Sequence, residues 1–182
     1  MEYDYLKIAG KPAIVTGGGR GIGRATALAL GRFGAKVMIC DVHDDWGESA
    51  VKEIRDHGGV AEYRHCDVAD PEQVKALVAA TVEVFGDVDI LVNNAGIGSV
   101  SLPFEEITDE DWDRMLRVDL TAPFYLCREV IPYMKARKHG RSSTSAPAPG
   151  SSAVSSAPTT RRPRRAHRVH PVHRQGAGWG PH

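Results

Sequence analysis

At 182 residues, with 42% hydrophobic and 25% charged residues, the chain has the dimensions and composition of one soluble globular domain. A large multidomain machine is excluded. The formal net charge is zero, from 23 basic and 23 acidic residues, but it is unevenly spread. Residues 141–182 hold seven Arg and no acid, while residues 1–140 hold sixteen basic residues against twenty-three acidic, so a segment of −7 precedes a tail of +7. Such asymmetry suggests a tail that meets nucleic acid or a membrane surface. No apolar run reaches ~18 residues, which predicts no transmembrane helix. The opening MEYDYLKIAGKPAIV has early acids and no apolar core, which predicts no signal peptide. Cys40, Cys66 and Cys127 fit neither a zinc site nor a disulfide framework, so a reducing, cytoplasmic setting and no metal are expected.

Residues 12–140 alternate strand-like and helical patterns. Ala13-Ile14-Val15 reads as a strand ended by the glycines of Thr16–Gly23. Gly21–Phe33 reads as a helix with Ile22, Ala25, Leu28 and Leu30 near helical spacing and Gly34 as its stop. Lys36–Asp41 is a second strand. Asp45–His57 is a second helix, with Trp46, Ala50, Val51 and Ile54 on one face, and Val60–Val68 is a third strand. Asp70-Pro71-Glu72 is a helix start: a capping carboxylate, a proline at the first position and an acid at the positive end. Val74, Leu77, Val78, Thr81 and Phe85 form its predicted buried stripe, and Gly86 its stop. Val88–Val92 is a fourth strand. Thr108-Asp109-Glu110-Asp111 is a capping-box-like start to a long helix, roughly Trp112 to Lys138, which Pro123 and Pro132 could kink or split. Strand and helix in alternation imply α/β architecture, a doubly wound parallel sheet that binds ligands at the carboxyl ends of its strands.

Thr16-Gly17-Gly18-Gly19-Arg20-Gly21-Ile22-Gly23 joins the first strand to the first helix. Glycine suits that place because the chain turns sharply and a pyrophosphate must approach backbone N–H groups at the positive end of a helix. A tight turn with no ligand would also use glycine, but the strand before and helix after favour a dinucleotide. Asp41 lies eighteen residues beyond Gly23, near the ~20 expected of a carboxylate on the adenosine ribose. A 2′-phosphate ~4 Å from Asp41 would cost about 4 kcal/mol per charge pair at an effective dielectric of 20. Asp41 therefore argues for NAD, while Arg20 leaves NADP open.

Thr16-Gly17-x-x-x-Gly21-x-Gly23, together with Asn93-Asn94-Ala95-Gly96 after the fourth strand, resembles the short-chain dehydrogenase/reductase family. Asp67-Val68 and the run Val118-Asp119-Leu120-Thr121-Ala122-Pro123-Phe124 match as well, so the resemblance covers roughly residues 6 to 141. It is most similar to members such as 3-oxoacyl carrier-protein reductases and glucose dehydrogenases. The resemblance implies a Rossmann-type domain, usually a dimer or tetramer, moving a hydride between nicotinamide and an alcohol or ketone. It implies cofactor contacts at Thr16, Gly17, Gly19, Arg20, Gly21, Ile22, Gly23, Asp41, Asp67, Val68, Asn94, Ala95 and Gly96. Its chemistry uses a Tyr base, a Lys four residues later that lowers the Tyr pKa, a Ser on the substrate oxygen and an Asn in a proton relay. Here Asp119 stands in the Asn slot. The Ser, Tyr and Lys are absent: no Tyr follows Tyr133 and no Lys follows Lys138. Residues 98–104, after the Asn-Ala-Gly turn, are expected along the substrate pocket.

Residues 141–182 contain no Leu, Ile, Phe, Tyr, Lys, Asp, Glu or Asn, a composition that predicts a disordered, low-complexity tail. The genetic code offers a test. With each codon begun one base earlier, Ser142 and Ser143 (TCN) become NTC, which allows Ile or Val. Thr144 then allows Asn, Ser145 allows Ile, and Ala146 and Pro147 allow Ser. Thr160 allows Tyr, Arg161 and Arg162 allow Ala, Pro163 allows Ser, and Arg164, if coded AGR, allows Lys. The recovered Ser, Tyr and Lys fall at slots 147, 160 and 164, thirteen and four residues apart, which are the family's intervals. Past slot 165 the third frame is the one that allows apolar residues, which suggests a second slip.

The sequence therefore reads as an NAD(P)-binding domain over 1–140 and a basic tail over 141–182 that is out of frame. As written, the fold is expected to stop after the fourth strand and the long helix, leaving that strand as an aggregation-prone edge. The alternatives are a dinucleotide-binding module without catalysis, or a tail that binds nucleic acid through Arg161-Arg162-Pro163-Arg164-Arg165 with strong salt dependence. His167, His170 and His173 step by three without helix support and are the weaker candidates for a metal.

Overall fold

The computed structural model describes residues 7–97, 103–137, 140–146 and 153–157. Six strands form one sheet in the order β3-β2-β1-β4-β5-β6. In chain order the elements are β1 (Pro12–Thr16), α1 (Gly21–Arg32), β2 (Lys36–Asp41), α2 (Asp44–Asp56), β3 (Val60–His65), α3 (Pro71–Phe85) and β4 (Ile90–Asn93). Then follow α4 (Asp109–Leu116), α5 (Ala122–Arg137), β5 (Arg141–Ala146) and β6 (Ala153–Ala157). Strands β1 to β5 pair in parallel, and β6 runs antiparallel to β5.

Side-chain alternation along the central strands builds two cores. Ile14, Met38, Cys40 and Leu91 point to one face, against Val74, Leu77 and Val78 of α3 and Leu126 and Val130 of α5. Val15, Val37 and Ile39 point to the other, against Ala27 of α1 and Ala50, Val51 and Ile54 of α2. Central strands buried on both faces read as continuous apolar runs, as Ala13–Val15 and Val37–Cys40 do.

Helix α3 forms as its sequence dictates. The Asp70 carboxylate accepts the backbone N–H of Glu72 at 2.9 Å and of Gln73 at 3.3 Å, Pro71 opens the helix, and Gly86 closes it at φ +87°. Of its predicted stripe, Val74, Leu77, Val78 and Thr81 are buried and Phe85 is partly so. Helix α1 differs. Ile22 is 61% exposed and Ala25 is exposed, while the buried face is Gly23, Ala27 and Gly31. Small residues at every fourth position let the helix approach closely, and a Cβ on Gly31 would meet Ile54 at 2.8 Å. Trp46 also leaves its predicted face. Gly47 takes the inward place under the Tyr63 ring, where a Cβ would come within 2.1 Å, and Ala50, Val51 and Ile54 continue the buried row.

The predicted long helix is two helices joined by a π-helical turn, Arg117–Thr121. Pro123 lacks the N–H that an α-helix would direct at the Asp119 carbonyl, which accounts for the widened turn at this point. Helix α5 continues through Pro132.

The sheet also does not stop at β4. Arg141–Ala146 pairs in register with it, Leu91 opposite Ser142 and Asn93 opposite Thr144. Backbone N–H and C=O groups form a ladder whatever the side chain, so a Ser-rich segment can still cover the edge that β4 was expected to expose. Apart from β6, the rest of the predicted tail, including Arg161–Arg165 and the three histidines, lies outside the described residues, as do residues 98–102 of the predicted pocket loop.

Candidate functional site

The strand order reverses between β1 and β4, and the loops that follow these two strands meet at that point. The glycine turn leaves β1, and Gly17 and Gly21 adopt positive φ, +60° and +54°. Gly23 faces back into the turn, and a Cβ there would lie 2.1 Å from the Gly17 carbonyl oxygen. Side chains at this corner would push the first turn of α1 off the strand.

The turn is braced from β4. The Thr16 hydroxyl accepts the backbone N–H of Asn94 and of Ala95, each at 3.0 Å, and donates to the Val92 carbonyl at 3.3 Å. One donor and two acceptor positions are thereby all used. The Asn94 side-chain amide donates to the carbonyls of Thr16 (3.0 Å) and Gly17 (3.1 Å). Thr16 and Asn94, both expected to be cofactor contacts, thus hold the turn in shape.

Helix α1 begins at Arg20 with no side-chain cap and no acid in its first turn. By contrast, α3 is capped by Asp70, and Thr108 and Asp111 form a reciprocal capping box on α4. No Cβ at Gly21 would meet anything within 4 Å, so the helix start is open. An uncapped helix start beside an open glycine turn suits a phosphate.

Asp41 ends β2 beside this turn and is buried to 8% exposure. Its Oδ2 accepts the Gly19 N–H at 3.0 Å and its Oδ1 the His43 N–H at 3.1 Å. Asp67 is exposed and accepts the Ala69 N–H at 2.9 Å. The Val68 side chain is buried in the core, leaving its backbone for any ligand. Ala95 is half-buried and Gly96 exposed on the far side of the opening.

Asp119 lies in the π-helical turn, where its Oδ1 accepts the Ile97 N–H at 3.0 Å. Burial pushes its carboxyl up from the ordinary value, and the Ile97 hydrogen bond partly opposes this. It thereby ties α4 and α5 to the loop after β4. At the end of β4, Asn93 donates to Thr144 Oγ1 at 3.4 Å and to Cys127 Sγ at 3.7 Å. Sequence reasoning missed this polar contact between β4, β5 and α5, since Thr144 had been read as part of a tail. Among the described residues no cluster of His, Cys, Asp or Glu could hold a metal, and the three cysteines are free.

The short chain dehydrogenase family model matches residues 11–146. The chain belongs to this family. It is 43% identical over 133 residues to an uncharacterized oxidoreductase of Thermotoga maritima, covering 73% of this chain and 52% of that protein. It is 41% identical over 133 residues to versicolorin reductase 1 of Aspergillus parasiticus, covering 72% and 50%. Among solved structures it is similar to a 7α-hydroxysteroid dehydrogenase complexed with NADH and 7-oxo glycochenodeoxycholic acid. That match has TM-score 0.74 and 35% identity and covers 79% of this chain and 56% of the other. A metagenomic short-chain oxidoreductase in complex with NADP gives TM-score 0.72 at 35% identity, covering 75% and 62%. The chain spans about half the length of the curated relatives it matches.

Proposed function

We propose that residues 1–140 are the cofactor-holding part of a nicotinamide-dependent oxidoreductase acting on a small alcohol or ketone in the cytoplasm, with NAD preferred. The observation that carries this reading is the uncapped start of α1 in the braced glycine turn, with the Asp41 carboxylate beside it. When bound, the dinucleotide supplies a hydride donor or acceptor. Gly17, Gly19, Gly21, Ile22 and Gly23 hold its pyrophosphate, Asp41 its adenosine ribose, and Arg20 stands on the ribose side of the turn, where a 2′-phosphate would come. Asp67, Val68, Asn94, Ala95 and Gly96 line the adenosine side, and Asp119 takes the relay position. The solved relatives named above, one with NADH and one with NADP, support a nicotinamide cofactor in this fold.

The same geometry bears on the reading frame. A parallel strand inside a sheet is ordinarily an apolar run, yet β5 reads Arg-Ser-Ser-Thr-Ser-Ala and sets half-buried Ser142, Ser143 and Thr144 beside β4 and α5. The frame begun one base earlier offers Ile-Ile-Asn-Ile in these slots and Ser, Tyr and Lys at 147, 160 and 164. We infer that the complete enzyme carries those residues and that residues 141–182 as written do not. With no Tyr beyond Tyr133 and no Lys beyond Lys138, this chain binds dinucleotide without turnover.

A homo-oligomer of the complete protein is supported by Trp112, Leu116, Leu120 and Phe124, exposed at every fourth position along α4, the π-helical turn and α5. No helix among the described residues is long and apolar enough to cross a membrane. Titrating the 182-residue chain with NAD tests the cofactor reading: saturable binding that resists salt supports it, and no binding removes it. Binding to nucleic acid that falls steeply with salt and vanishes on truncation at Arg141 would favour the basic-tail alternative instead.

A further inference from the structure

Trp46 was expected on one face of its helix with Ala50, Val51 and Ile54, and the fold leaves it 36% exposed on the first turn of α2. It lies against the glycine turn: a Cβ on Gly19 would come within 2.7 Å of Trp46 Cβ and 2.9 Å of Asp41 Oδ2. The Arg20 guanidinium sits over the Trp46 ring, 4.8 Å from its centroid, and the His43 ring lies 4.0 Å away, tilted by 49°. The glycine turn's single cationic side chain is therefore stacked on an indole. Meanwhile the Asp41 carboxylate beside it is fixed by the N–H groups of Gly19 and His43.

We propose that Trp46 is a positioning residue that selects NAD over NADP by holding Arg20 on its indole face. The proposal rests on the dinucleotide reading above. A 2′-phosphate placed at Asp41 meets a fixed negative charge, and Arg20 is the cation in the turn that could offset it. Attraction to the face of an indole gives that cation a resting place other than an ion pair with the carboxylate. Freed from the ring, the long Arg20 side chain becomes available to a 2′-phosphate, whereas NAD, lacking that group, gains nothing from the release.

Calorimetric titration of the full 182-residue chain with NAD and with NADP tests this. Wild type should favour NAD. Trp46→Ala should tighten NADP about five-fold, or about 1 kcal/mol at 1.4 kcal/mol per factor of ten, while the NAD affinity moves by less than about two-fold. Trp46→Leu keeps apolar bulk without a π face and should show the same gain should the alanine variant fold poorly. Trp46→Phe retains a face and should keep the wild-type ratio. Adding Arg20→Ala to Trp46→Ala should erase the gain. An unmoved NADP/NAD ratio in the Ala and Leu variants, or equal weakening of both ligands, overturns the proposal while leaving the dinucleotide reading intact. A wild-type preference for NADP also overturns it. Failure of wild type to bind either dinucleotide overturns both.

Discussion

Strands β4 and β5 are neighbours in one sheet, paired in parallel over four positions, yet their side chains belong to different kinds of sequence. In β4, Leu91 and Asn93 are almost wholly buried, at 1% and 2% exposure, and the strand leads into the turn that braces the glycine loop. In β5, serine and threonine stand half-buried where α5 presents Leu126 and Val130 to the sheet. The pairing shows that a backbone ladder sets where a strand goes, while its side chains set how firmly it stays. The site divides in the same way. Among the described residues, β1, β2 and β4 are packed on both faces and the glycine turn is braced from β4. The slots inferred for Ser, Tyr and Lys, 147, 160 and 164, follow β5 in the sequence and lie outside the described residues.

The sharpest break of that contrast is to replace the β5 side. Re-expressing the gene with codons from 141 read one base earlier, and the second slip after slot 165 corrected, should give an active oxidoreductase, whereas the chain as written is expected to show no turnover. The expected gain is at least the ~10²–10⁴-fold that a positioned acid/base contributes, read as NADH formation or loss across a panel of alcohols and ketones. Unaltered genomic sequence across codons 138–170, with no turnover in the corrected chain, would remove the frame reading.

On the braced side, Gly23→Ala should cause the next largest effect. Its methyl group would lie 2.1 Å from the Gly17 carbonyl oxygen, so the turn must open. Overpacking of this kind costs about 1–3 kcal/mol, and NAD binding should be lost before the fold is. Equilibrium denaturation alongside ligand titration separates the two. Unchanged NAD affinity would mean that the turn does not hold the cofactor.

A smaller effect, opposite in sign, is expected from Ser142→Ile. An isoleucine half-buried beside Cys127 and Leu91 should add about 1 kcal/mol, against the ~1.5–3 kcal/mol of full burial, and raise Tm by several degrees. A variant less stable than the parent would show that β5 is tuned to its polar residues, and would weaken the frame argument.

Most of the braced half was legible in the sequence because each element announced itself by more than one signal. The start of α3 had a cap, a proline and an acid in consecutive residues, and the glycine turn lay between a recognisable strand and helix. What was not legible depends on partners distant in sequence. The inward face of α1 is glycine and alanine, invisible to a search for large apolar residues, because its neighbour Ile54 fills the space. Trp46 is displaced by a glycine, since Tyr63 claims the inward position. The bracing roles of Thr16 and Asn94 could have been found from Thr-Gly and Asn-Ala flanking parallel strands, but only with the strand order known. For β5, composition argued against a strand, and composition says nothing about an available ladder edge.

The finest probe of the contrast lies at the seam between the two sides, at Asp119. Its carboxyl is shifted upward by burial, so the folded protein resists charging it more than the unfolded chain does. For an acid raised in this way the folded state binds more protons than the unfolded state between the two pKa values, so stability falls as pH rises through that window. Below the ordinary carboxylate pKa of about 3.9 both states are protonated and the penalty vanishes. Asp119→Asn keeps an oxygen for the Ile97 N–H and removes the charge. The variant should match the parent in the most acidic buffers where both still fold, and become modestly more stable than it as pH rises to neutrality. A stability difference that does not change with pH would place the Asp119 charge in water. The loop after β4 would then be held to the helices by the hydrogen bond alone.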